Sequence, residues 1–319
     1  MKVLSKKQLY DEERRVQSEW AKRDFEKEVM IEDLYQSTID NIQKKIDIFY
    51  LTYAGENGMT LAQAKKRAKK DEVNKVLMEV KSTTVINELL GAYRIRGDRS
   101  RLDLLRVELD VELRKMYAKQ YEIMNEYMLT ETQEELERQS KLLGKEPSDA
   151  KDKAILIVGA VYFGKTFGEK IKLHYRDARR ELLSSVNRIH SNIINYQSKR
   201  NDLFKTFRAY TNEAIRLLRT EVGRARTQAE HTAAKEQEAS HYVYITEMGA
   251  CSICEDLSGL AFKVEDAIEG VNHPLMHPNC RCSTRPHAIV RNEDGSTSLD
   301  EFEVIDDFDD WNESRNEDV

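Results

Sequence analysis

Apolar residues in the first 140 positions recur every three or four residues, which places them on one face of an α-helix. One stripe comprises Ile39, Ile42, Ile46, Phe49 and Tyr53. A second comprises Leu102, Leu105, Leu109, Leu113 and Met116. Between the stripes, Gly55–Gly58 predicts a turn, and Thr60 with Gln63 forms a capping box that begins a new helix. We therefore expect a helical bundle or hairpin stack over residues 1–145.

The pattern breaks at Gly144–Asp149, where Gly, Pro, Ser and Asp favour a linker, and helical spacing then resumes over residues 150–238. The next stripe comprises Ile171, Tyr175, Leu182, Val186, Ile189 and Ile193. The last comprises Leu203, Phe207, Tyr210, Ala214 and Leu217. This last helix is expected to continue past Arg226.

Beyond these helices the periodicity changes to two. His241–Ile245 alternates as a strand does, and Leu260–Val264 predicts a second strand. We interpret residues 239–291 as a small α+β module. The predicted fold is thus mainly α: a long-helix bundle, a small C-terminal module and the acidic tail described next.

Charge is distributed in blocks although the net charge is only −6. Residues 165–235 carry 16 basic and 7 acidic side chains, whereas residues 292–319 carry 12 acidic side chains and one arginine. A block of like charge repels itself, so we expect 292–319 to be a disordered tail. The basic helices could contact DNA phosphates without reading base sequence. The candidate side chains are Arg176, Arg179, Arg180, Arg216, Arg219, Arg224 and Arg226.

All the cysteines are clustered, which favours one local site over a disulfide framework. Cys251-Ser-Ile-Cys254 is followed by His277-Pro-Asn-Cys280-Arg-Cys282, so two tight turns can each supply two ligands to a tetrahedral zinc ion. We predict structural zinc bound by Cys251, Cys254, His277 and Cys280, with Cys282 as the substitute for His277.

Two other interpretations of this cluster stay open. A thioredoxin-like redox pair would explain Cys251 and Cys254 but not the downstream His277 turn, and plain thiols without metal would need no partner at all. Nearby, His273 is expected to lie on the surface.

The segment Gly159–Thr166 matches the phosphate-binding loop pattern G-x-x-x-x-G-K-[ST] letter for letter. A working loop needs a preceding strand and a parallel sheet, whereas the flanking sequence is helical. We therefore favour a turn between two helices, with Tyr162, Phe163 and Phe167 as aromatic anchors, over a nucleotide site.

No spacing in the chain predicts catalysis or a membrane span. The histidines stand alone without a paired nucleophile, so we expect no enzyme. The longest apolar run, Ala154–Val158, is too short to cross a bilayer, and the first residues lack a signal-peptide core. We expect a protein made and kept in the cytosol, without a membrane partner.

Residues along most of the chain resemble phage head-morphogenesis proteins with a Mu F-like C-terminal domain. The resemblance lies in the Cys251–Phe262 and Gly270–Cys282 knuckles, the Arg219–Ala229 helix and the Phe163–Ile171 turn. The N-terminal Tyr10–Arg15 and Tyr50–Ala62 segments are also similar to that family's start.

The resemblance implies a minor capsid protein of a tailed bacteriophage, found in the phage head and, during assembly, in the host cytoplasm. Its implied partners are the portal protein and capsid or scaffolding proteins, with a possible effect on packaged double-stranded DNA or its delivery. The alternative from the residues themselves is a cytosolic zinc-knuckle nucleic-acid-binding protein.

Overall fold

The computed structural model of the chain describes residues 6–49, 101–144, 149–191, 196–287, 299 and 301–317. The long helices are α1 (Lys6–Asp47), α2 (Arg101–Leu142), α3 (Ala150–Gly159), α4 (Phe167–Ser191) and α5 (Tyr196–Glu236). The remaining elements are β1 (His241–Ile245), α6 (Ser252–Glu255), β2 (Leu260–Lys263), a 3-10 turn (Val264–Asp266), β3 (Ser283–His287), β4 (Glu303–Val304) and α7 (Phe308–Glu317). The predicted mainly helical fold with a small C-terminal sheet is confirmed.

The predicted apolar stripes are the buried faces of the helices. Every member of the second stripe is buried in α2, as are Ile39, Ile42 and Ile46 in α1. In α5 the stripe includes Leu218, which is buried, in place of the half-buried Leu217. The predicted capping box at Thr60 lies outside the described residues.

The predicted break after the second stripe is confirmed. Helix α2 ends at Leu142, and Gly144 has a left-handed backbone (φ 76°) while its N–H donates to the Lys141 carbonyl. Glycine adopts this conformation without the clash that a side chain would meet.

Two compact units make up the chain. The first comprises Met1–Val29, Glu122–Phe167 and Ala214–Val319, and the second comprises Met30–Tyr121 and Gly168–Glu213. Both are assembled from separated stretches, whereas the domains predicted from the sequence are consecutive ones. The sheet and all five candidate metal ligands belong to the first unit.

The sheet has the strand order β3-β1-β2-β4, with β1 antiparallel to β2 and β3, and β4 parallel to β2. Both faces of β1 are covered, because Tyr242 and Tyr244 pack into one apolar cluster while Val243 and Ile245 pack into another with Leu9. All five β1 residues are therefore buried. Alternation predicted the strand correctly, but not that its second face would be covered.

The prediction of a disordered acidic tail is wrong for residues 301–317. These residues and Leu299, here called the C-terminal strap, form β4 and α7. Apolar side chains recur every third position within the strap and are buried or half-buried: Leu299, Phe302, Ile305, Phe308 and Trp311. This apolar seam outweighs the repulsion among the strap's acidic side chains, many of which are exposed.

Candidate metal centre

Two tight turns of similar geometry present the predicted ligands. In the first, Cys251 caps α6 and its carbonyl accepts the Cys254 N–H at 3.0 Å. In the second, the His277 carbonyl accepts the Cys280 N–H at 3.1 Å, and Asn279 has a left-handed backbone (φ 68°). Each turn thereby brings residues i and i+3 to the same side.

Three of the four predicted ligand atoms, those of Cys251, Cys254 and His277, lie within 4.8 Å of one another, and Cys280 approaches this group through Cys254. The Cys251 and Cys254 sulfurs lie 3.2 and 3.5 Å from His277 Nε2, and the Cys254 and Cys280 sulfurs lie 3.8 Å apart. A tetrahedral ion with metal–sulfur bonds of about 2.3 Å and metal–nitrogen bonds of about 2.1 Å would separate sulfur from sulfur by about 3.8 Å, and sulfur from nitrogen by about 3.6 Å. The donor set and its spacing therefore fit a metal ion.

Cys282 joins the cluster next to Cys254 and Cys280. Among the described residues, two overlapping groups have ligand atoms within 4.8 Å of one another: Cys251, Cys254 and His277, and Cys254, Cys280 and Cys282. Cys254 belongs to both groups. The prediction that Cys282 is the reserve ligand thus stays a prediction, and the structure places its sulfur within reach.

The cluster is graded from buried to exposed. Cys254, Cys280 and Cys282 are at most 3% exposed, Cys251 is exposed, and His277 is half-buried. Burial raises the pKa of Cys254 to about 12, whereas the Cys254 backbone N–H lowers the pKa of Cys251. A metal cation would offset the cost of burying these thiols as thiolates.

Cys280 and Cys282 shift each other's pKa in opposite directions. A hydrogen bond with the Cys282 thiol lowers the pKa of Cys280 to about 5, and contact with Cys280 together with burial raises the pKa of Cys282 far above its usual value. A bound cation would lower the pKa of both thiols. The choice of Cys282 as the substitute for His277 stays a prediction.

The His277 ring is held in the orientation that metal ligation requires. Its Nδ1–H donates to the Pro278 carbonyl at 2.9 Å, which also raises the pKa of His277. We assign the proton to Nδ1 because a carbonyl can only accept. Nε2 is then the nitrogen that faces the sulfurs, as in histidine ligands whose second nitrogen is fixed by a backbone group.

Helix α5 supports the second turn from behind. A side chain on Gly223 would place its Cβ 3.2 Å from Leu275 Cδ2 and 3.4 Å from the Cys280 carbonyl oxygen, so glycine permits the close approach. Tyr244 in β1 lies against the buried sulfurs, and burial raises its pKa. Sequence reasoning missed both positions, because neither carries a ligand atom.

The prediction that His273 lies on the surface is wrong. This side chain is 2% exposed, and its ring centroid lies 5.3 Å from both the Tyr242 and the His231 rings. Burial lowers the pKa of His273 to about 3 and that of His231 to about 4. Both imidazoles are therefore neutral parts of the core.

The predicted DNA-binding arginines divide into two sets. Arg226 is buried and bonds to Asp24 (2.9 Å) and Glu131 (2.6 Å), and Arg224 is buried and bonds to Glu221 and Glu269. Their charges are paired with carboxylates inside the fold, so of the predicted set these two are the least accessible to DNA, and their role in DNA contact stays a prediction.

The other five arginines lie nearer the surface. Arg219 pairs with Glu28, Arg179 with Asp110 and Arg180 with Asp177. The exposed members of the predicted set are Arg176, Arg180 and Arg216. Non-specific DNA contact through these side chains stays a prediction.

The G-x-x-x-x-G-K-T segment is a turn between helices, as we favoured. Ile155–Val158 belongs to α3, and Tyr162 and Lys165 exchange backbone hydrogen bonds of 3.0 and 3.3 Å around Phe163 and Gly164. Phe167 is buried and the Tyr162 ring stacks on Arg224 (4.9 Å), so these two are anchors. Phe163 is 82% exposed, although its ring centroid also lies 5.3 Å from the Arg224 guanidinium, so it anchors the turn through one face only.

Comparison with known proteins identifies one family. Residues 185–285, roughly a third of the chain, match the family described as Phage Mu protein F like protein. No curated protein and no solved structure matches the chain. Within the part of the chain that the structure describes, no helix combines the length and the apolarity needed to cross a bilayer.

Proposed function

We propose that this protein is a minor capsid, or head-morphogenesis, protein of a tailed bacteriophage, because residues 185–285 match the family described as Phage Mu protein F like protein. The observation that carries the proposal is the coincidence of the match with the metal cluster. All five candidate Cys and His ligands fall inside the matched residues, where they form two overlapping groups that share Cys254.

The proposed role of the cluster is structural. Zinc suits two to three thiolates and an imidazole at tetrahedral spacing, and a site filled by four protein ligands has no position left for a substrate. Cys251, Cys254, His277 and Cys280 would hold the ion, which would tie the β1–β2 connection to the segment that enters β3.

The proposed partners are the portal protein and the capsid or scaffolding proteins of the same phage, met in the host cytoplasm during procapsid assembly. Support comes from the family match alone, because the family is one of head morphogenesis. Effects on DNA packaging or ejection belong to the same proposal.

Co-purification tests the assembly role. The tagged chain is expressed with the phage's portal, scaffolding and major capsid proteins, and procapsids are isolated by sedimentation. We expect the chain to sediment with procapsids and to be captured with portal protein. The proposal fails if a folded chain stays in the soluble fraction while procapsids form normally without it and contain no trace of it.

Metal analysis tests the cluster separately. Protein purified without chelator should contain one zinc per chain, and the Cys251→Ser variant should contain much less. Cys282→Ser is the matched control, since we place that thiol outside the primary ligand set. Absence of stoichiometric metal from unaltered protein would contradict the zinc assignment and leave the assembly proposal standing.

A further inference from the structure

The C-terminal strap covers an edge of the sheet that would otherwise be open. Glu303 and Val304 pair with Leu260 and Ala261 of β2 in parallel register. The Ile305 N–H donates to the Ala261 carbonyl at 2.9 Å. An uncovered β2 would present unpaired backbone groups, which are a template for another strand.

Aromatic contacts anchor the strap beyond this edge. The Trp311 ring meets Phe262 of β2 edge to face, with centroids 4.9 Å apart, and Phe308 lies 5.8 Å from Trp311. Phe262 is 1% exposed in their presence. The strap therefore contributes an aromatic pair to the core of the module.

The first part of the strap also contacts the start of α1. The Glu301 carboxylate accepts the Lys6 backbone N–H at 2.7 Å, and the Lys6 ammonium lies 5.4 Å above the Phe302 ring. Phe302 and Leu299 pack with Leu9. The surface that receives the strap thus combines an open strand edge, an aromatic contact and a cation, and it is complementary to an acidic, aromatic segment.

The strap is held by few backbone bonds. Strand β4 has two residues, against a usual strand length of about five. Eight acidic side chains and one arginine lie in residues 301–317, so the segment repels itself. Eleven residues, 288–298, separate β3 from Leu299 along the chain.

We infer that the β2 edge is a docking site for the strap of a second copy, which replaces the chain's own strap and so joins two copies. A segment exchanged between identical chains reproduces every contact it makes within one chain, which makes such exchange cheap. Strand addition to a sheet edge, with side-chain contacts providing specificity, is a common mode of recognition.

The covalent connection to the rest of the chain determines which strap occupies the β2 edge. A short linker gives the chain's own strap an effective concentration of about 1 mM, so it excludes a second copy in dilute solution. Exchange is expected where copies are concentrated or where the internal strap is weakened. The inference rests on contacts of the strap alone and does not depend on the proposed function.

A labelled peptide tests this site. The probe is a fluorescein-labelled peptide of residues 299–317, and the acceptor is the full chain carrying Ile305→Pro, which removes the N–H donated to Ala261 but leaves β2 intact. We expect fluorescence anisotropy to show binding at least about tenfold tighter than to the unaltered chain. The same peptide with Phe302→Ala and Trp311→Ala is the matched control and should not bind.

A second variant of the full chain serves as acceptor in case the Ile305→Pro variant does not fold. The full chain with Trp311→Ala weakens the internal strap at a different contact and should also bind the peptide, with unchanged metal content and circular dichroism. Equal peptide affinity for unaltered and variant chains would place the site elsewhere and overturn the inference. Failure of both folded variants to bind would overturn it as well.

Discussion

Two buried polar clusters lie in the same compact unit, and they are balanced in different ways. Around Arg226, two guanidiniums and two carboxylates pair within the protein: Arg226 with Asp24 and Glu131, and Arg23 with Glu131 at 2.6 Å. In the cysteine cluster, thiols and an imidazole all offer electron pairs that a metal cation could accept.

The comparison shows how a fold can satisfy buried polar groups. The arginine cluster is complete once the helices pack, so its contribution is fixed by the chain itself. The cysteine cluster needs a bound cation before its thiols can be buried as thiolates. The stability of the region around the cysteine cluster should thus depend on the availability of metal. The stability of the arginine cluster should change only when one of its residues is mutated.

Metal removal should give the largest effect. Apparent zinc binding of about 10–16 kcal/mol in small structural sites exceeds what so small a module gains from its own core. Chelation should therefore speed amide hydrogen exchange in residues 247–282 by orders of magnitude and leave the α2 amides protected. Faster amide exchange in both regions, or in neither region, would contradict the distinction between the two clusters.

Substitution of single cysteines tests which thiols bind the metal. Cys280→Ser should reproduce the loosening caused by chelation, whereas Cys282→Ser should keep stoichiometric zinc. The reason is that Cys280 belongs to the predicted ligand set, whereas Cys282 is the predicted substitute for His277. Metal loss on Cys282→Ser with retention on Cys280→Ser would reverse the assignment of the fourth ligand.

Breaking the arginine cluster should rank second. Arg226→Met leaves Asp24 and Glu131 buried with less compensation, which costs about 3–5 kcal/mol. Urea unfolding followed by circular dichroism measures the loss, and zinc content should not change. Arg180→Met is the control, because its pair with Asp177 is exposed on both sides and should contribute no more than about 1 kcal/mol. If Arg226→Met loses no more unfolding stability than the control, the arginine cluster does not stabilise the fold as we predict.

Acid should have a smaller, graded effect through the buried histidines. Because the folded pKa of His273 (about 3) is below the ordinary value of about 6.5, the unfolded chain binds the proton first. Stability is then full above pH 6.5 and falls as the pH drops towards 3. At pH 5 this residue should cost about 2 kcal/mol relative to pH 7.5.

Paired unfolding curves isolate the histidine contribution. The unaltered chain and a His273→Gln variant are compared by urea unfolding at pH 7.5 and pH 5, with saturating zinc in all samples. The variant should lose less stability between the two values. Identical losses would show that His273 does not titrate on unfolding.

The smallest effect is expected at the turn between α3 and α4. Lys165 is exposed, so Lys165→Ala should change unfolding stability by no more than about 0.5 kcal/mol and leave co-purification with procapsids intact. If the purified protein hydrolyses ATP and Lys165→Ala abolishes this activity, the interpretation of the segment as a turn is contradicted.

Local spacing made the proximity of the Cys and His side chains predictable, because residues i and i+3 of a tight turn must face the same way. The helices were predictable for a similar reason, as the stripe in α2 shows. Arg226 was not, since its partners Asp24 and Glu131 lie 202 and 95 residues away along the chain. A positive charge on a helix has the same sequence signature whether it faces solvent or a distant carboxylate.

The strap and His273 are two further positions where the sequence alone led to a wrong prediction. Acidic composition dominated the interpretation of the tail, although the three-residue spacing from Leu299 to Trp311 was visible in the sequence. His273 is buried because rings from two separate elements, Tyr242 and His231, close over it. Residue type alone does not reveal such a neighbourhood.

Contacts between α1 and the sheet also set an order of events during synthesis. Gln17 donates to the Ile245 carbonyl and the Ser283 hydroxyl, and Glu13 pairs with Arg285 across 272 positions of sequence. At about 5–20 residues per second, the ribosome adds the strands some tens of seconds after α1 has emerged. During that interval the buried side of α1 has no strand to pack against, and it becomes a surface that a chaperone or an early partner can hold.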